Sequence, residues 1–339
     1  MNPFESVSLG KSNLAVTPLG LGCGPLAGLF TDVPEPQAVA TVRRALVAGV
    51  KLFDTAPLYG LGKSETRVGV GLQGAPRDSY VLASKVGRML VPDATAPAGE
   101  YINTPPMRAA FDYRYDAVMR SHEASLRRLN VDRIDILHIH DPDDHYDDVM
   151  RGAYPALHKL REQGAIRAIS AGMNQPEMLA RFAREADFDC FLLASCYTLL
   201  VQTALAELFP LCLQKRIGII CGAPYNSGIL ATGAQPGARF SYKPAPPEIM
   251  ERVRNIENVC AAHRVPLKAA ALQFPLGHPA VVSIIPGSRS EEELVENVQM
   301  VSFPIPSSFW SDLKDQNLLP PEVPVPNGAA PSPRPGDRT

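Results

Sequence analysis

The sequence predicts an α/β protein built as a single (β/α)8 TIM barrel, with an N-terminal β-hairpin cap and a Pro-rich C-terminal tail. Three observations predict it. Short apolar runs alternate with amphipathic helical stretches along the chain, eight of each. Several of the runs are apolar throughout, as in IGIIC and VVSII, which is the pattern of parallel strands covered on both faces rather than of half-solvated ones. Titratable side chains stand where successive runs end, at Asp54, at Lys85 and at His140 with Asp141, and in alternating strand and helix folds the strand C-termini are where ligands bind.

The elements follow in order. Alternation across ESVSLGKSNLAVTPL, with Gly10 to Asn13 at the bend, predicts a hairpin that caps rather than catalyses. The next run, LGLGCGPL over 19–26, is a glycine-rich strand. Its GxGxG is not a dinucleotide fingerprint: no G-x-G-x-x-G opens a helix, and no acidic residue follows at an offset of ~20 residues. Its glycines, with Gly22 and Cys23 at the strand end, mark backbone passing close to a ligand. Helix 34–49 carries Ala38, Val42, Ala45 and Leu46 on one face and stops at Gly49. Strands at 50–54, 80–86, 134–140, 165–171, 190–195, 217–222 and 281–285 then alternate with helices at 64–73, 113–129, 148–163, 176–186, 202–214, within 247–277 and at 290–300. Two connections are long, 87–112 and 222–246. Loops of that length inside a compact domain are usually lids or binding walls. The first carries Arg88, Tyr101 and Phe111, candidate substrate contacts. The domain is expected to span 1–317, with 318–339 a disordered tail rich in proline and small residues.

Composition narrows the partners. With 339 residues, 45% of them apolar, one large core is feasible. A net charge of −2 leaves no footprint for nucleic acid or anionic lipid. The N-terminus has no apolar core of a signal peptide, and FLLASCYTLLV falls short of the ~20 residues that span a bilayer. A cytoplasmic protein with a small-molecule partner is expected. The six cysteines form no CxxC pair and no zinc spacing, so no metal site is expected and the thiols should be buried and reduced.

Four ordered blocks, FDTA-x-x-YG-x-GxSE, ASKVG, ILHIHDP and IPGSRSEEELVEN, resemble the signature segments of the aldo-keto reductase superfamily from about Phe4 to Val301. Within it, LASCYTLLVQTAL and CGAPYNSGIL look like the branch of aldose 1-dehydrogenases that act on L-fucose, L-galactose, D-arabinose or D-galactose. The resemblance implies a catalytic tetrad of Asp54, Tyr59, Lys85 and His140. Oxidising a sugar C1 hydroxyl needs a base for its proton while hydride leaves the carbon. A tyrosine with a reference pKa of ~10 is a poor base, so Lys85 is expected to stabilise the phenolate, and Asp54 to keep Lys85 charged and in place. His140 would orient the reacting oxygen. His138 shares its parity and is expected to fill the barrel interior or to bond a neighbour of the reacting groups.

The resemblance also implies a nicotinamide cofactor. Pro286, Gly287, Ser288 and Arg289 lead into the last helix, where unpaired N–H groups favour phosphate, and Ser290 with Glu293 also reads as a capping box. Glu296 and Asn297 match adenine-contacting positions, Asn174 a residue that holds the nicotinamide amide, and Ser227, Gly228 and Leu230 the loop over the pyrophosphate. Ser195, after the sixth strand, joins them. Where NADP-preferring relatives often carry Lys and Arg, this chain has Gly287 and Glu293; NAD is favoured, with NADP open through Arg289. The tyrosine many relatives stack beneath the nicotinamide is replaced around Gly222, and the usual Ser-Asn pair reads Met173-Asn174; Tyr197 or Tyr225 could substitute. Two other functions remain open: an aldehyde reductase or pyridoxal 4-dehydrogenase of the same fold, and a cofactor-binding sensor or regulatory protein.

Overall fold

The computed structural model describes residues 2–95, 97 and 99–326. Eight parallel strands form one sheet: β1 (Leu21–Gly22), β2 (Leu52–Asp54), β3 (Val81–Val86), β4 (Ile136–His140), β5 (Ala168–Met173), β6 (Cys190–Ala194), β7 (Gly218–Gly222) and β8 (Val281–Ile285). Each pairs with the next in sequence. The sheet then closes on itself, because Gly20 N donates to Ile284 O at 2.8 Å, Ile284 N to Pro18 O at 2.8 Å and Gly22 N to Pro286 O at 3.1 Å. The fold is the expected (β/α)8 barrel, and every strand lies within or beside its predicted range.

Two apolar clusters divide the work. The larger fills the layer between strands and helices. The smaller is the lower barrel interior, to which Leu52, Val81, Ile136, Ala168, Cys190, Ile220 and Ile285 each contribute one side chain from a different strand. The hairpin Val7–Ser8/Ala15–Val16 seals this layer from below with Leu9 and Leu14. A Cβ on Gly10 would sit 2.5 Å from Asp189 O and 2.6 Å from Gly218 N, so the turn presses directly on the starts of β6 and β7. Above the apolar layer the interior turns polar: Asp54, Lys85 and His138 are all buried there.

Three features depart from the sequence reading. The 87–112 connection folds back as an antiparallel ribbon, Arg88–Pro92 with Met107–Phe111. Both strands are only partly covered, so neither shows the apolar alternation that betrays a strand. A helix at Ser307–Asp315 buries Phe309, Trp310 and Leu313. The ordered chain also runs past the boundary drawn at 318: Leu318, Leu319 and Val323 are buried, and Arg252 donates to Leu318 O at 2.9 Å. Proline content predicts an absence of helix and strand, and these nine residues have neither, yet their three aliphatic side chains dock on the core. The remainder of the predicted tail, 327–339, lies outside the described residues. All six cysteines are buried and free.

Candidate active site

Strand parity and register assemble the centre. Gly22 pairs with Asp54, Asp54 with Ala83, Lys85 with His138, and His138 with Ser170. Lys85 Nζ donates to Asp54 Oδ1 at 2.6 Å, Asp54 Oδ2 at 2.8 Å and Thr55 O at 2.9 Å. Its three N–H bonds are thereby used inside a site where Lys85 is 1% and Asp54 2% exposed. Burial pushes the Asp54 carboxyl up, but Lys85 and His138 outweigh it and hold the group below its usual value. His138 takes the other side of Asp54, Nε2 to Oδ2 3.2 Å, while its Nδ1 meets Ser170 Oγ at 2.7 Å. The expectation of a supporting rather than reacting His138 agrees with this geometry.

Tyr59 is carried on the turn after β2, where its N–H bonds Ala56 O at 3.1 Å. Lys85 Nζ lies 5.0 Å from its ring centroid. The His140 ring meets it edge-on at 6.0 Å and Tyr101 stacks on it at 6.3 Å. The four predicted catalytic residues therefore converge. Their electrostatics differ from the expectation, however. Burial, followed by Asp54, Tyr101, Tyr242 and Asp141, drives the Tyr59 phenol well above its ordinary value. Desolvation, helped by Lys85, Arg88 and His138, keeps His140 neutral. Its Nε2 faces Asp141 Oδ2 at 3.6 Å, and its Nδ1 is buried without a partner among the described residues.

A cleft leads away from this centre in two joined chambers of about 320 and 450 Å3 that share Leu29, Tyr59, Tyr101, Leu192, Ala194 and Tyr242. The smaller holds Lys85, His140, Asp141, Glu100 and Asn174. The larger runs over Gly22, Gly24 and Gly222 to Ser227, Gly228, Gly287, Arg289, Glu293, Glu296 and Asn297. A Cβ on Gly24 would lie 3.7 Å from the Tyr59 ring and 3.6 Å from Tyr101 Oη, so a side chain there would intrude where the chambers meet. At the far end, Arg289 donates through its backbone N (2.7 Å), Nε (3.0 Å) and a terminal nitrogen (2.6 Å) to the Glu293 carboxylate. Glu293 thus caps through Arg289 N, whereas a capping box would return it to Ser290 N; Ser290 Oγ does accept from Glu293 N, at 3.4 Å. Tyr225 Oη donates to Asn297 Oδ1 at 2.6 Å and Asn297 Nδ2 to Ser288 Oγ at 3.0 Å, while Lys268 pairs with Glu296 at 2.6 Å.

Not every predicted cofactor residue reaches the cleft. Leu230 is fully buried and its N–H bonds Tyr225 O at 3.1 Å. Cys23 follows inward-facing Gly22, so parity turns its thiol outward toward Leu21 O. Pro286 is buried with its carbonyl on Gly22 N, and Ser288, 1% exposed, acts through Asn297. Ser195 Oγ is buried with no partner among the described residues. Tyr197 packs in the core against Phe209 and Phe274, whereas Tyr225 lines the cleft. Sequence reasoning missed Tyr242, Glu100 and Lys268. The first two sit in the connections flagged as binding walls, and Asp141 was marked with His140 as a titratable strand end but given no role.

The aldo/keto reductase family profile matches residues 18–317. The chain belongs to the aldo/keto reductase family. Members use nicotinamide cofactors and act as oxidoreductases on small molecules. The chain is 37% identical to D-threo-aldose 1-dehydrogenase of Pseudomonas sp, over 91% of this chain and 96% of that one. It is 36% identical to pyridoxal 4-dehydrogenase of Microbacterium luteolum, over 93% and 98%, and 30% identical to L-galactose dehydrogenase of Arabidopsis thaliana, over 89% of each. The holo form of an aldo-keto reductase from Bacillus halodurans shares the fold, with a TM-score of 0.75 at 24% identity over 96% and 98% of the chains. Among the described residues, no helix is long and apolar enough to cross a membrane.

Proposed function

We propose that this reductase is an aldose 1-dehydrogenase that oxidises the C1 hydroxyl of an L-fucose-, D-arabinose- or galactose-type sugar to the lactone, with NAD preferred. The observation that carries the reading is the buried Asp54–Lys85 pair beneath the Tyr59 ring, beside His140, at the inner end of a two-chamber cleft. A nicotinamide dinucleotide suits the larger chamber, whose wall is bare backbone at Gly22, Gly24 and Gly222, and next to which Ser195 offers an unpaired buried hydroxyl. Bound there, it supplies the hydride acceptor. The chain supplies the rest. His140, neutral at physiological pH, donates an N–H to the reacting oxygen and orients it. Tyr59 takes the hydroxyl proton as the C1–O bond gains its second bond, and in reduction gives it back. Lys85 offsets the charge that develops on the phenol oxygen while remaining anchored by Asp54. Asn174, exposed at the cleft, holds the nicotinamide amide.

Glu293 supports NAD. Its carboxylate would repel a 2′-phosphate and accept from a 2′-hydroxyl, and Arg289, the cation that could bind that phosphate, is tied to it. That ion pair is half exposed and worth no more than ~1 kcal/mol, so it tunes preference rather than forbids NADP. The similarity to pyridoxal 4-dehydrogenase favours a second reading, the same chemistry on an aromatic aldehyde or hemiacetal held between Tyr101 and Tyr242. A nicotinamide-binding sensor would keep its function without Tyr59.

The decisive measurement is the initial rate of reduced-nicotinamide formation with a panel of free aldoses, each with NAD and NADP, on wild type and Tyr59→Phe. Turnover of a 6-deoxy or galacto sugar, lost by ~10²-fold or more in Tyr59→Phe while cofactor affinity holds, is expected. Intact cofactor binding with no aldose turned over would overturn the sugar reading in favour of carbonyl reduction, and then of the sensor.

A further inference from the structure

The smaller chamber contains a carboxylate that the hydride chemistry does not use. Asp141 follows His140 directly, with φ at +42°, a left-handed conformation that costs a non-glycine residue and that clusters at functional sites. Its Oδ2 accepts from Arg88 at 2.8 Å and lies 3.6 Å from His140 Nε2. Its Oδ1 has no bonding partner among the described residues. Arg88 is itself braced, its guanidinium 4.5 Å from the Phe111 ring centroid on the ribbon that follows β3. The carboxylate is four-fifths covered and lines the chamber beside Tyr59 and His140.

We propose that Asp141, aimed by Arg88, binds the hydroxyl on the carbon next to the reacting one. The inference rests on the reductase reading above and narrows it to 2-hydroxy carbonyl compounds and the aldoses that contain them. The geometry favours adjacency: His140 Nε2 and the Asp141 carboxylate lie 3.6 Å apart at their nearest, so oxygens on neighbouring carbons can bond both at once. Charge points the same way. An acceptor-only carboxylate pairs with a hydroxyl and disfavours a carboxylate or phosphate at that position. Arg88 is a positioning residue, fixing the carboxylate without reaching the reacting atoms.

The test is the ratio of kcat/KM for D-galactose over 2-deoxy-D-galactose, and for L-fucose over its 2-deoxy counterpart. A site that hydrogen-bonds a substrate hydroxyl rejects the analogue lacking it, so wild type should prefer the hydroxylated sugar by ~10²-fold, and Asp141→Ala should reduce the ratio to below ~10-fold. Asp141→Asn, which keeps the shape and tolerates positive φ, should fall between them, as should Arg88→Met. A merely structural role for Asp141 would lower activity on both sugars and leave the ratio intact. A wild-type ratio near one, or an undiminished ratio in the variants, overturns the proposal. If wild type oxidises neither sugar, the dehydrogenase reading fails separately, and reduction of lactaldehyde against propanal decides the role of Asp141 by the same ratio.

Discussion

Lys85 is the residue whose environment was least legible in the sequence. Strand ends and family blocks pointed to Asp54, Tyr59, Lys85 and His140, and those four do meet. What periodicity could not give was the allocation of charge: both Asp54 oxygens go to Lys85, while burial, with Asp54 and its neighbours, pushes the Tyr59 phenol up. Oxidation needs the phenolate, so its kcat/KM should climb with pH through at least pH 9, while reduction, which needs the phenol, holds over the same span; a flat oxidation profile would contradict this assignment of Tyr59. Stability should respond to acid in two stages. His138 and His140 are buried neutral with lowered pKa values, so the unfolded chain binds protons first and stability falls as pH drops below about 6.5. Asp54, also depressed, contributes fully above about 4 and is lost as pH falls through its folded value. Urea melts from pH 8 down to about 2 should show both declines, and His140→Asn should shrink the upper one.

The helices on one side of the barrel explain why two glycines stand inside a helical pattern. Lys63–Leu72 lies between Glu35–Ala48 and Tyr115–Leu129, and it approaches them through Gly69 and Gly71. A Cβ on Gly69 would fall 2.2 Å from Leu129 O; one on Gly71 would fall 2.5 Å from Val42 Cβ. An interior helical Gly→Ala change ordinarily gains ~0.5–1 kcal/mol. At Gly69 the new methyl meets backbone that cannot rotate aside, and overpacking of that kind costs ~1–3 kcal/mol. The clash outweighs propensity, so Gly69→Ala should lower the urea midpoint, and a stabilised variant would show that the helix shifts freely. The sequence revealed the helix but not this packing, because a close approach depends on a partner some sixty residues away. The ribbon after β3 went unseen for a related reason: its half-covered strands lack the contrast between faces that a sequence pattern records.

At the scale of the molecule, the barrel was readable because it repeats one unit eight times, and a repeated signal survives ambiguity in any single strand. The segment after it was not, since composition counts prolines without weighing the few side chains that anchor them. Leu318, Leu319 and Val323 are 6%, 1% and 0% exposed. Leu318 and Leu319 both donate their N–H groups to Leu313 O, at 2.8 and 3.1 Å, and Lys314 Nζ reaches Pro321 O at 2.8 Å. A Cβ on Gly277 would lie 2.5 Å from Pro326 N, so the segment crosses from the helix at 307–315 to the turn before β8. Burying an aliphatic side chain contributes ~1.5–3 kcal/mol, an upper estimate against an extended unfolded chain. Whole domains are stable by only ~5–15 kcal/mol, so three such anchors are a sizeable share of the total. Ending the chain after Asn317 should therefore lower Tm by several degrees and loosen the turn that leads into β8 and the Gly287 end of the cleft, raising the dissociation constant for NAD. A chain ended after Pro326 keeps the whole described segment and serves as the reference. Equal melting temperatures and equal NAD affinities for the two truncations would mean that the segment covers the barrel without supporting it.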